Sequence, residues 1–173
     1  MKKTLIALSL ICAPVMFAQA ADGTINFTGN ITDAACTVDA ASATQTVNLG
    51  TVSAKAFTAV GSSAAPTKFS INLTNCPAAV TKASVKFDGL INKTNADLLA
   101  VNTDSTATGV GIGIYEADST TQVPMLTASA SKAIDSTAGA TNTMNFVAKY
   151  IATAATVGAG TANASTDFTV VYN

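Results

Sequence analysis

Short runs in which apolar and polar residues alternate constrain the fold of this chain more than any other feature. The clearest runs lie at 23–28, 68–74, 84–87, 111–115, 143–150 and 167–172. Each is rich in Ile, Val, Phe, Tyr or Thr, and Ala-, Ser-, Thr-, Gly- and Asn-rich segments separate them. Alternation with period two places every second side chain on one face, which predicts strands with one buried face. Several short strands of this kind predict an all-β sandwich.

Two Ala-rich stretches, 33–43 and 151–162, could be taken for helices. They contain Thr, and no apolar stripe recurs at the helical i, i+3, i+4 spacing. We therefore expect loops or edge strands there. With 173 residues, of which 49% are hydrophobic, the chain is long enough for one domain with one core.

The residue types present argue against several kinds of chemistry. The chain has no His, and all 9 basic residues are Lys, so the commonest general base and metal ligand is missing. Scattered lysines do not form the basic stripe that nucleic acid requires, so no nucleic-acid partner is expected. Glu116 and Asp118 are spaced like a carboxylate pair, but they precede Ser and Thr residues in what reads as a solvated turn. No catalytic residue, metal ligand or cofactor is predicted.

The first residues have the pattern of a secretory signal peptide. Lys2 and Lys3 precede an apolar stretch at 5–17, and a small-x-small cleavage site follows at 18–20. The apolar stretch is too short to cross a bilayer, which disfavours the alternative of an N-terminal anchor and predicts no stable membrane insertion. We expect a signal peptide at 1–20, with Ala21 as the mature N-terminus.

Three cysteines are present, and Cys12 would leave with the signal peptide. Cys36 and Cys76 then remain as an isolated pair in an exported chain, which predicts a disulfide formed in an oxidising compartment. A metal site would need more ligands than two cysteines supply.

An ordered set of motifs carries a resemblance to a known family. The motifs are GTINFTG at 23–29, AACTVD at 34–39, VNLG at 47–50, FSINLTNC at 69–76, FVAKY at 146–150 and DFTVVY at 167–172. Together they resemble the type 1-like fimbrial (pilus) subunits of the chaperone–usher class over essentially the whole mature chain. Gly160, fourteenth from the end, and the penultimate Tyr172 also match this family.

The resemblance implies a particular fold and life cycle. Such subunits are incomplete immunoglobulin-like sandwiches that lack their final strand and are completed by a donor strand. It implies a signal peptide at 1–20, a donor-strand extension at 21–31 and a pilin domain at 32–173. The partners it implies are a periplasmic chaperone, an outer-membrane usher, copies of the chain itself and other pilus subunits. The product would be an extracellular fimbrium that supports cell adhesion.

The resemblance also assigns roles to the two ends of the chain. The donor positions are Ala21, Gly23, Ile25 and Phe27. The acceptor edge, which would also bind the chaperone, comprises Gly160, Phe168, Val170, Tyr172 and the terminal Asn173. On periodicity alone, both ends also fit ordinary sandwich strands packed on the core.

Other roles within the same pilus remain open. A minor adaptor or terminator subunit would differ little in sequence from a shaft subunit. A carbohydrate-binding adhesin is disfavoured because the cysteine pair begins too early for a preceding lectin domain, and because the chain has no Trp and 3 Tyr to stack on a sugar.

Overall fold

A computed structural model of the chain describes residues 22–172. The predicted signal peptide, Ala21 and Asn173 lie outside the described residues. The chain divides into two units, one ending at Ile31 and the other running from Thr32.

The second unit is built almost entirely from strands. They are β1 (Thr37–Val38), β2 (Ser63–Thr74), β3 (Lys82–Gly89), β4 (Val110–Glu116), β5 (Lys132–Ala133), β6 (Asn142–Ala152) and β7 (Thr166–Tyr172). One four-residue helix, α1 (Ala40–Ala43), follows β1, and a 3₁₀ turn lies at Ala54–Ala56. Asp39 caps α1 by accepting the backbone N–H of Ala41 at 2.9 Å.

The strands form two antiparallel sheets. One sheet has the order β1-β2-β6-β4 and the other the order β5-β3-β7. In the first sheet Phe69 lies opposite Phe146, and in the second Phe87 lies opposite Phe168. Within the described chain, β7 pairs with β3 on one side and with no other strand. The second sheet therefore ends at an open edge.

Three phenylalanines join the sheets at the centre of the core. Phe69 and Phe146 project from the first sheet and Phe87 from the second, with ring centroids 5.2 to 6.1 Å apart. Phe87 meets Phe146 edge to face, a favourable arrangement for aromatic pairs. Both of these rings are buried, so the cluster fixes the spacing between the two layers.

The predicted disulfide is present between Cys36 and Cys76, which are 40 residues apart in sequence. Cys36 directly precedes β1 and Cys76 lies two residues beyond the end of β2. The bond thus holds the start of the folded domain against the end of its longest strand. Both cysteines are buried.

Five of the six alternating runs lie in strands of the sandwich, within β2, β3, β4, β6 and β7. The sixth, 23–28, forms no strand. The expectation of loops or edge strands at 33–43 was wrong for α1, where the Asp39 cap stabilises a single helical turn. At Thr37–Val38 the same expectation is confirmed, because β1 is an edge strand of the first sheet. No sequence pattern predicted β5, because a two-residue strand has no periodicity to detect.

Candidate functional site

An elongated groove opens on the side of the sandwich where β7 has no partner strand. Its first cavity, of about 640 Å³, lies between residues 42–50 and residues 162–168. A second cavity, of about 370 Å³, continues from it toward residues 51–57 and 157–161. Gly50, Tyr150, Ala162 and Asn163 border both cavities. The floor of the first is apolar and includes Phe69, Ile71, Phe87, Leu99, Ile112 and Ile114.

One side of the groove is the segment 44–52, here called the N-terminal lip. It belongs to no strand, and none of its backbone groups bonds to another backbone group in the described chain. Among residues 22–172, its one backbone donor with a partner is the N–H of Gly50, which donates to the side-chain oxygen of Asn48 at 2.8 Å. Val47 and Leu49 nevertheless pack against the core. The lip is thus anchored by alternate side chains while its backbone remains available.

The opposite side is formed by residues 157–172, here called the C-terminal lip. Its second half is β7, which bonds to β3 along one edge and leaves the edge facing the groove unpaired in the described chain. Phe168 lines the first cavity. Phe168, Val170 and Tyr172 are half-buried and pack against the core. Of these three predicted residues, Val170 and Tyr172 are outside the cavity lining.

Tyr172 ties the end of β7 to the disulfide. Its phenol oxygen accepts the backbone N–H of Cys36 at 3.1 Å, and the hydroxyl lies 3.4 Å from the carbonyl oxygen of the same residue. This contact joins the end of β7, in the second sheet, to the residue that directly precedes β1, in the first sheet. The sequence-based role for Tyr172 concerned the acceptor edge and did not include this bridge.

Tyr150 stands at the junction of the two cavities. Its hydroxyl donates to the carbonyl of Ala162, in the C-terminal lip, at 3.2 Å. Burial raises the pKa of Tyr150 above its usual value near 10, so the phenol stays protonated and remains a donor. Gly160, predicted to lie on the acceptor edge, lies before β7 in this same lip and lines the second cavity.

The first unit presents its apolar side chains to solvent. Ile25 is 80% exposed, Phe27 91% and Ile31 105%. Nothing in the structure approaches the Cα of Gly23 or Gly29 on its side-chain side. The predicted donor positions stopped at Phe27, but Gly29 and Ile31 continue the same alternation, and the sequence already contained that signal. Ala21 lies outside the described residues.

The carboxylates that could have formed a catalytic pair have separate structural tasks. Glu116 accepts the backbone N–H of Ala130 at 2.7 Å, whereas Asp118 accepts the N–H groups of Thr120 and Thr121 in a surface turn. Among residues 22–172 no group of three or more potential metal ligands comes together. Nor does this part of the chain contain a helix long and apolar enough to span a membrane.

Residues 25–173 match the family described as Fimbrial protein. This chain belongs to the fimbrial protein family. Long polar fimbria protein A of Salmonella typhimurium is 38% identical over 177 residues, covering 99% of this chain and 97% of the relative. The structure of a Burkholderia pseudomallei antigen and type I fimbria protein superposes with a TM-score of 0.62 at 35% identity, covering 82% of this chain and 91% of that one.

A third similarity concerns the fold alone. The P pilus rod subunit PapA superposes with a TM-score of 0.64 at 22% identity, covering 80% of this chain and 99% of PapA. The fold is therefore the immunoglobulin-like sandwich of chaperone–usher pilins. As a fimbrial protein, the chain is a structural subunit of an extracellular surface fimbria and not an enzyme.

Proposed function

We propose that this fimbrial subunit polymerises by donor-strand exchange, with residues 21–31 of one copy filling the groove of the next. The observation that carries the proposal is the groove itself, in which two lips with free backbone edges flank an apolar floor. A strand laid between them can form hydrogen bonds on both sides while its alternate side chains enter the cavities. This is β-strand addition in which the added strand pairs with a backbone segment on each of its two edges.

The exposed segment 22–31 has the properties that such an insert needs. Its apolar residues alternate, and Ile25, Phe27 and Ile31 are almost fully exposed. Burying a side chain of this size contributes about 1.5–3 kcal/mol. Gly23 and Gly29 would allow close backbone approach where the groove is shallow. The predicted donor set of Ala21, Gly23, Ile25 and Phe27 therefore extends to Gly29 and Ile31.

An open apolar groove also accounts for the expected assembly partners. An unpaired sheet edge above an exposed core is prone to aggregate, so the subunit needs a cover before assembly. A periplasmic chaperone would lend a strand along Phe168, Val170 and Tyr172 and hold the carboxylate of Asn173. An outer-membrane usher would then receive the subunit for exchange, and the finished fimbria would support cell adhesion.

A shaft or adaptor role fits the chain better than a terminator role. A terminator needs only one means of attachment, because nothing follows it in the fibre. This chain has both an exposed apolar extension and an open groove. Each copy could therefore bind one neighbour through its extension and a second neighbour through its groove.

Replacing Phe27 with Asp tests the proposal. The charge would have to be buried in an apolar cavity, so Phe27→Asp should abolish fibres in electron micrographs of cells that also express the chaperone and usher. Co-purification with the chaperone should be unchanged, because the groove is intact. Thr28→Asp, on the other face of the alternation, is the matched control and should still yield fibres. Normal fibres from Phe27→Asp would refute the proposal.

A further inference from the structure

The first half of the C-terminal lip, 157–165, is held by a loop and not by a strand. Residues 102–108, in the connection between β3 and β4, lie alongside it. Backbone bonds join the two segments at three levels, from Asn102 to Asn163, from Thr106 and Ala107 to Thr161, and between Thr108 and Gly158. These bonds hold segment 157–165, which belongs to neither sheet and bends at Gly160, alongside residues 102–108. Its residues 157–163 line the second cavity shortly before β7 begins.

Hydroxyl side chains complete this attachment. The N–H of Thr106 donates to the hydroxyl oxygen of Thr161 at 3.0 Å, and the N–H of Thr161 donates to the hydroxyl oxygen of Thr106, also at 3.0 Å. Ser105 and Asn163 form a similar pair, in which the N–H of Asn163 donates to the Ser105 hydroxyl at 2.9 Å and that hydroxyl donates to the Asn163 carbonyl at 3.1 Å. The backbone N–H groups of Thr161 and Asn163 thus donate to side-chain hydroxyls, whereas in a regular sheet they would donate to carbonyls of a neighbouring strand.

Gly160 lies directly against residues 106 and 107. A Cβ at this position would be 2.4 Å from the hydroxyl oxygen of Thr106 and 2.5 Å from the backbone nitrogen of Ala107. The second contact is with backbone, which cannot rotate away. A side chain at Gly160 would therefore force the two segments apart.

We propose that Thr106 and Thr161 are positioning residues that hold segment 157–165 at the border of the second cavity, in the place required for strand uptake there. Thr161 borders that cavity, whereas Thr106 does not and acts through Thr161. Gly160 contributes to the same positioning because the absence of a side chain lets residues 102–108 pack closely against segment 157–165. The inference rests on the proposed function, since it assigns a task to these residues in accepting a donor strand.

The test compares Thr106→Val with Thr106→Ser in the full chain purified from the periplasm. Valine keeps the β-branched shape but removes the acceptor for the Thr161 N–H, whereas serine retains it. Loss of one hydrogen bond of ordinary strength should speed amide exchange in residues 157–165 about fivefold, while amides of β7 remain unchanged. Uptake of a labelled peptide corresponding to residues 21–31 should slow by about the same factor. Thr106→Ser should behave as the unaltered chain in both measurements.

Glycine substitutions provide a second, independent comparison. Gly160→Ala meets backbone and should slow peptide uptake by at least tenfold. At Gly158 an added Cβ would meet the hydroxyl oxygen of Thr108 at 2.3 Å, but the next atoms are 3.5 Å or more away, so a rotation of Thr108 can make room. Gly158→Ala should therefore have the smaller effect.

The outcomes separate this inference from the proposed function. If the unaltered chain takes up no peptide, donor-strand exchange itself fails. If it takes up peptide and Thr106→Val does so at the same rate, the positioning role is refuted. If Thr106→Val accelerates exchange equally in β7 and in residues 157–165, the threonine merely stabilises the whole domain, and the inference is also overturned.

Discussion

At the scale of single residues, Asp118 shows how a polar side chain organises a turn in a chain with few charges. One carboxylate oxygen accepts the N–H groups of Thr120 and Thr121 at 2.7 and 2.8 Å, and the other accepts the Thr121 hydroxyl at 2.6 Å. These three bonds favour the ionised form and hold the pKa of Asp118 well below its usual range. The sequence predicted a solvated turn here, and the structure confirms it.

We expect Asp118→Asn to change the acid side of the stability profile. Because the folded-state pKa of Asp118 is lowered, its contribution is present above the unfolded value near 4 and is lost as the pH falls. The variant should therefore melt at a lower temperature than the unaltered chain at pH 7, and the gap should narrow toward pH 2. Thermal melts at several pH values measure this.

Asp104→Asn serves as the control, because no hydrogen bond of the Asp104 carboxylate is found in the described chain. If the difference in melting temperature between Asp118→Asn and the unaltered chain stayed constant from pH 7 to pH 2, the lowered pKa of Asp118 would be contradicted. Between pH 5 and 8 both profiles should be nearly flat, because the chain contains no His.

At the scale of elements, β7 depends on bonds at one edge and on one side chain at its end. Its ladder to β3 runs from Thr166 to Tyr172, and the phenol of Tyr172 reaches the backbone of Cys36. A strand with one free edge gains less from its ladder than an interior strand, so the tie at its end matters more.

Tyr172→Phe should lower the free energy of unfolding by about 0.5–1.5 kcal/mol, because the half-buried N–H of Cys36 loses its acceptor. Urea denaturation of the purified chain measures the change. Tyr115→Phe is the matched control. The ring of Tyr115 lies 4.2 Å from the ammonium of Lys149, and the substitution preserves that contact. Equal losses in both variants would show that the Cys36 bond contributes nothing specific.

The elements also show where sequence reasoning reaches its limit. Alternation identified β2, β3, β4, β6 and β7 because it reports which side chains face a core. It does not report whether a backbone edge has a partner. The N-terminal lip has the same alternation, with Val47 and Leu49 packed on the core, yet its backbone pairs with no other backbone segment within residues 22–172. The groove arises because both lips lie around the same apolar floor, and the alternation of residues does not report that arrangement.

At the scale of the whole molecule, the disulfide cross-links a domain in which the edge strand β7 has no second partner strand among the described residues. It closes a loop of 40 residues that contains the N-terminal lip. The tie thus joins one side of the groove to the first sheet, and Tyr172 joins the other side to the same cysteine. Sequence reasoning predicted the disulfide, but the contact with Tyr172 depends on tertiary structure across 136 residues.

Replacing both Cys36 and Cys76 with Ser should destabilise the unassembled domain by about 4 kcal/mol in the chain-entropy model. Urea denaturation of the oxidised chain and of the double variant measures the difference. Cys12→Ser, in the predicted signal peptide, is the control and should have no effect on the secreted product. A double variant as stable as the oxidised chain would show that the loop is held equally well without the bond.

In the proposed donor-strand exchange, the extension and the groove lie on different parts of the same chain, so contacts between successive copies would be head to tail. Such contacts do not close on themselves unless the rotation happens to form a ring, and they generate a filament. In the assembly proposed above, the filament has chemically distinct tips. One tip exposes an unused extension and the other an unfilled groove, so growth has a direction, and each tip requires a different kind of capping protein.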